Sequence, residues 1–177
     1  MKEKFILTTI AIITGTLIIA QKAPVIKVYA YSQTVLPGAK KNIAVEENGN
    51  EVKQSAEKKV NYFFYAEQKK SVVIKVTAVW MHGKKFTVKT DSVSKTPIEI
   101  TTGGAPSESN KIVLTPAAGN KFLLILPGEA ATSGLKVSGS LKKMIRRSEL
   151  VLVYQWKGVT RYFPVKEIKI LEPLASV

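Results

Sequence analysis

The chain has one histidine, His82, and one aspartate, Asp91. With a serine they are its only material for a hydrolytic triad, whose members must stand in hydrogen-bond contact. His82 falls in a predicted turn and Asp91 lies nine residues further on, along the strand that leaves it. Extended backbone of that length separates them by about 30 Å, so the triad is excluded. With no cysteine and a single histidine, a zinc centre of the usual Cys/His type is excluded as well.

Two weaker patterns lead to the same place. "EENGNE" (46–51) gathers Glu46, Glu47 and Glu51 around a glycine, as a calcium loop does, but it lacks the spaced aspartates and reads as a solvated hairpin turn. "TTGGAP" (101–106) has adjacent glycines without the Gly-Lys-Ser/Thr that makes a phosphate loop. Twelve glutamates could supply a carboxylate pair for glycoside chemistry, yet none is singled out. These readings give no catalytic residue, no metal ligand and no cofactor, and the chain is expected not to be an enzyme.

Binding chemistry is better represented. In "SLKKMIRRSEL" (140–150), Leu141, Met144 and Ile145 repeat at helical spacing, and Lys142, Lys143, Arg146 and Arg147 fall opposite them. Two turns of helix would present four cations to a phosphate or an anionic surface, or would simply solvate the outer face of a short crossover helix. Trp156 and Arg161, across the Lys157-Gly158 step, form the second candidate, an aromatic and a cation able to stack on sugars or bases. Tyr29 and Tyr31 alternate along one segment, and Tyr62 and Phe64 alternate against Phe63 and Tyr65 along another. One side of each must be core, and the other is left exposed or covered by a partner.

The elements that position these residues read as strands nearly throughout. "VNYFFYAEQ" (60–68) and "SVVIKVTAVWM" (71–81) are rich in β-branched and aromatic residues. On the second, Val72, Ile74, Val76, Ala78 and Trp80 are expected on one face. His82-Gly83, Asn48-Gly49 and Lys157-Gly158 each separate alternating runs, a hairpin signal. "KFLLILP" (121–127) is apolar on both faces and is predicted to be a central strand, while "PGEAATSG" (127–134) reads as a loop. The whole predicts an all-β, antiparallel β-sandwich with one short helix near 140–148. In pattern it resembles immunoglobulin-like or fibronectin-like sandwiches, although no motif names a family.

The first residues set the compartment. Lys2 and Lys4 precede sixteen uncharged residues, Phe5 to Ala20, before Lys22 and Pro24. As a helix this run covers about 24 Å, short of the roughly 30 Å hydrocarbon core. It therefore reads as a signal peptide, residues 1–20, with residues 21–177 as a single domain. The alternatives are cleavage after Ala30 or an uncleaved anchor. Absent cysteines and Asn-x-Ser/Thr sequons favour a bacterial envelope.

Removing residues 1–20 takes away Lys2, Lys4 and Glu3 and leaves 25 basic against 12 acidic residues. Such a charge attracts polyanions, although lysines spread along strands also discourage edge association. Three expectations follow for the exported domain, periplasmic or at the cell surface, with no further membrane span. The first is a non-catalytic module binding a protein partner in the envelope. The second is a structural or adhesive subunit assembling by strand addition through Val25, Ile26, Val28, Tyr29 and Tyr31. The third is a binder of anionic glycan, lipopolysaccharide or another polyanion, with no specific nucleic-acid site.

Overall fold

The computed structural model describes residues 23–36, 44–45, 51–52, 59–103, 110–131 and 137–175. The candidate signal and the Asn48-Gly49 turn lie outside the described residues. Along the described chain run β1 (Val25–Leu36), β2 (Ala44–Val45), β3 (Glu51–Val52), β4 (Lys59–Lys69), β5 (Lys75–Met81), β6 (Lys84–Ser92), β7 (Ile98–Thr102), β8 (Asn110–Leu114) and β9 (Asn120–Ala130). The helix α1 (Gly139–Arg147) follows, then β10 (Leu150–Trp156), β11 (Val159–Val165) and β12 (Lys169–Ala175).

The chain is predominantly β with one short helix, as its alternation predicts. The sheet itself departs from the expectation. Eight strands form one sheet in the order β11-β10-β5-β6-β9-β4-β1-β12, and β2–β3 and β7–β8 are two-stranded ribbons. The main sheet is mixed rather than wholly antiparallel, because β1 and β12 pair in parallel. β9 lies between β6 and β4, the central place its two apolar faces require.

Connection length forces this sheet to curl. β11 and β12 are its two edges, yet only Lys166, Glu167 and Ile168 join them. The edges of a flat eight-stranded sheet lie about 34 Å apart at strand spacing, whereas that link spans at most about 14 Å. The sheet therefore bends into a half-barrel, and β11 comes into contact with β1. Both edges carry a proline, Pro164 in β11 and Pro173 in β12. Proline removes a ladder donor and blunts an edge against further pairing.

Two cores result. Inside the curl, Val28 and Ala30 of β1, Phe64 and Ala66 of β4, Ile125 of β9, and Leu150, Leu152 and Tyr154 of β10 form one buried cluster with Ile168. On the outer face, Tyr31, Phe122 and Leu171 pack with Ile100 and Leu114 of the β7–β8 ribbon. Tyr29, Phe63 and Tyr65 join this second cluster, with Tyr31 stacked on Phe63 at 5.8 Å and Tyr29 edge-on to Phe122 at 5.7 Å. The chain's own ribbon thus packs on part of the aromatic side for which the sequence leaves a partner open, with Tyr29, Phe63 and Tyr65 half-buried there.

A bulge corrects the expected face of β5. Tyr154 pairs with Val76 and Val153 with Ala78, so Thr77 is an extra residue whose hydroxyl donates to the Val153 carbonyl at 3.3 Å. A bulge shifts alternation by one. Ile74 and Val76 face the inner core, as expected, but beyond Thr77 it is Val79 and Met81 that do so. Trp80 is displaced to the opposite face and half-buried.

Two predicted hairpins form as read. His82-Gly83 joins β5 to β6 and Lys157-Gly158 joins β10 to β11, all four residues at positive φ. That backbone matches the twist of two-residue hairpins, and glycine adopts it without strain.

Candidate functional site

The main departure from a continuous sheet lies between β4 and β9. They pair from Lys69 and Asn120 up to Phe64 and Ile125. Beyond that rung β4 continues to Lys59 against β1, and β9 continues to Ala130 against β6. Among the described residues no pairing joins Lys59–Phe63 to another strand on the β9 side.

The local sequence explains the parting. Pro127 has no N–H to offer. Where β6 advances two residues, from Phe86 to Val88, β9 advances three, from Pro127 to Ala130. A Cβ on Gly128 would lie 2.7 Å from Thr87 Oγ1, so a larger residue at this bulge would have to displace that hydroxyl. The Thr87 hydroxyl donates to the Glu129 carbonyl at 3.3 Å. β9 is drawn onto β6 and away from β4. The segment from Pro127, which reads as a loop, is strand as far as Ala130.

The parted strands leave an open cleft of about 970 Å³. It passes through the sheet: Tyr62, Met81 and Phe86 line it from the inner side, and Phe63, Tyr65, Leu124, Leu126 and Ile100 from the outer. Lys59, His82, Lys84 and Glu99 stand among the lining residues. Glu99 is bound by Lys111 at 2.8 Å, and that hydrogen bond raises the Lys111 ammonium above its ordinary range. Among the described residues Lys59 and Lys84 have no carboxylate partner. The unpaired charge lining the cleft is therefore positive among the described residues.

A second cavity, about 450 Å³, opens beside it and shares Tyr62 and His82, whose rings meet edge-on at 6.2 Å. Glu149 and Glu167 line it, and Glu149 Oε2 accepts from the Ile168 amide at 2.6 Å. His82 is an exposed turn residue, as expected. Among the described residues no group of three or more His, Asp or Glu side chains is placed to hold a metal.

The residues singled out for binding fall in separate places. On α1, Lys142, Lys143, Arg146 and Arg147 are exposed, while Leu141 is buried and Met144 and Ile145 half-buried. The Ser138 hydroxyl accepts from the Leu141 amide at 3.4 Å and caps the helix, and Arg146 and Arg147 in the last turn complement its dipole. Trp156 sits at the far end of β10 from α1, about 20 Å along the strand from Leu150. Its ring lies 5.0 Å from both Lys157 Nζ and the Arg161 guanidinium carbon, and packs on the inner core. Arg161 pairs with the buried Tyr154, and its Nε is buried with no hydrogen-bond partner among the described residues. The two candidate patches are not one surface.

The strand-addition segment forms the body of β1. Val25 and Val28 lie in the inner core and Tyr31 in the outer one, Tyr29 is half-buried and Ile26 exposed. The segment is paired to β4, and from Tyr31 onward also to β12. Ala30, the alternative cleavage point, is buried in the middle of this strand.

Of the cleft's residues, the sequence reading singles out Tyr62, Phe63, Tyr65 and His82, but not the others and not their meeting in one cleft. One signal was there, Pro127-Gly128 interrupting an apolar run. No family model matches this chain, and no curated protein or solved structure matches it either.

Proposed function

We propose that this chain is a non-catalytic exported recognition module that binds another component of the cell envelope or surface through the cleft between β4 and β9. The observation that carries the reading is the parting of those strands. A central sheet interrupted by an apolar cavity this large gives up pairing and packing, and a binding site is the use that compensates for it. Export rests on the Lys2 to Ala20 pattern. For the architecture, we read the two halves of the curled sheet, β10–β5 facing β4–β1, as the two layers of an immunoglobulin-like or fibronectin-like sandwich joined through β6 and β9.

Site-specific photo-crosslinking in the native host tests this function. A crosslinking residue at Val60 or Leu126 is expected to trap one discrete partner that the same residue at Val73, 82% exposed, does not. If the cleft positions trap nothing, the reading fails.

A second reading, binding of an anionic glycan or lipopolysaccharide, is favoured by the four exposed cations of α1. These cations also lie on the solvent side of a helix whose apolar face is buried, so a ligand is not needed to account for them. Assembly by strand addition from β1 is less favoured, because freeing that strand would remove part of both cores.

A further inference from the structure

We infer that the cleft accepts an extended peptide strand with acidic side chains, inserted between β4 and β9 to complete the main sheet. This rests on the reading of the cleft as the binding site and specifies its ligand.

Backbone chemistry comes first. Lys59–Phe63 pair with β1 alone, and Leu126–Ala130 with β6 alone, among the described residues. In a strand, successive peptide groups point to alternate sides. Each wall therefore turns backbone groups toward the cleft, and its residues there are exposed or half-buried, so those groups are open to a ligand. Another strand is the ligand that can pair with such edges, along the whole of the β4 wall and in part along β9, where Pro127 has no N–H. Because β4 and β9 are antiparallel, the inserted strand runs antiparallel to one wall and parallel to the other.

Size agrees. The free stretch of β4 is five residues, Lys59 to Phe63. Five residues of strand at sheet spacing fill about 800 Å³, close to the 970 Å³ available. Side chains of that strand would alternate between the inner wall, at Tyr62 and Phe86, and the outer wall, at Phe63 and Leu126. Apolar residues therefore suit the positions inside the cleft. Charge decides the flanks: Lys59 and Lys84 are exposed and Glu99 is already held by Lys111, so acidic residues are favoured there.

The experiment selects binders from a random library of short linear peptides displayed against the mature chain. Each binder is then remade with single N-methyl groups along its backbone. An inserted strand uses both sets of amides, so methylation at consecutive positions should each weaken binding by up to about tenfold. Lys59→Glu with Lys84→Glu, both at exposed positions, should shift selection from acidic to basic peptides.

Three results would overturn the inference: no enrichment, binding indifferent to N-methylation, or sensitivity at alternate positions only, which marks addition to one edge. The two readings fail separately. Peptide insertion without a crosslinked envelope partner defeats the recognition module and leaves the site chemistry standing. A crosslinked partner without peptide selection does the reverse.

Discussion

Phe64 and Ile125 face each other across the last rung that joins β4 to β9. On one side of that rung the sheet is continuous to Lys69 and Asn120; on the other the strands part around the cleft. Both residues are fully buried in the inner core. The cleft is thus anchored by close packing, and a ligand would meet a preformed edge rather than create one.

Gln33 ties the outer layer to the sheet. Its buried side-chain amide donates to the Thr101 carbonyl at 3.0 Å and to the Glu172 carbonyl at 3.1 Å, so that one residue of β1 holds both β7 and β12. Gln33→Leu leaves both carbonyls without this donor. Denaturant unfolding should show a loss of about 1–3 kcal/mol for each carbonyl that stays dry. An unchanged midpoint would mean that water replaces the amide.

The outer core stands or falls with Phe122. It is fully buried beneath the ribbon, edge-on to Tyr29 and Tyr65. Phe122→Ala should cost about 3–5 kcal/mol. Val113, 56% exposed on β8, should tolerate alanine within about 0.5 kcal/mol. Equal costs would mean that the ribbon does not pack as described.

Alternation, the two-residue turns and the 139–147 helix were legible because each depends on neighbours in sequence. Pairing was not, because it depends on residues far apart. Nothing near Tyr31 announces that it will lie parallel to Lys169. The face of Trp80 was misread for a local reason with a distant cause. Thr77 reads as one more alternating residue until the β10 register turns it into a bulge. The cleft was half legible, since Pro127-Gly128 does break a strand on its β4 side while remaining strand on its β6 side.

Alkaline pH should destabilise the fold. Burial raises the Tyr31, Tyr65 and Tyr154 phenols above their ordinary value; Tyr29 and Tyr65 add to the effect at Tyr31, and Arg161 opposes it at Tyr154. Above about pH 10 the unfolded chain loses these protons while the folded one keeps them, so the unfolded state binds fewer protons and stability falls. The contribution is fully present below pH 10 and is lost as the pH rises through the folded values. Ionisation of these three phenols, read from tyrosinate absorbance, should come above about pH 10 together with loss of the β-sheet signal. Complete tyrosine ionisation near pH 10 with the sheet intact would contradict this.

The α1 face separates the second functional reading from the first. Replacing Lys142, Lys143, Arg146 and Arg147 by glutamine should lower the salt at which the chain leaves a heparin column, if that face binds polyanions. The logarithmic salt dependence of affinity should also fall by up to about four. Loss of Arg146 and Arg147 should itself cost about 0.3–1 kcal/mol each through the helix dipole. Unchanged elution would assign the four cations to solvation alone.

Hydrogen exchange along β4 reads its parting from β9 with no ligand needed. In a continuous sheet every amide from Lys59 to Lys69 would be protected. With a cleft beyond Phe64, amides within Lys59–Phe63 should alternate, those turned to β1 exchanging slowly and those turned to the cleft exchanging fast, while Phe64–Lys69 stay protected. Uniform slow exchange over the whole strand would show that β4 is paired on both sides, and the cleft would not exist.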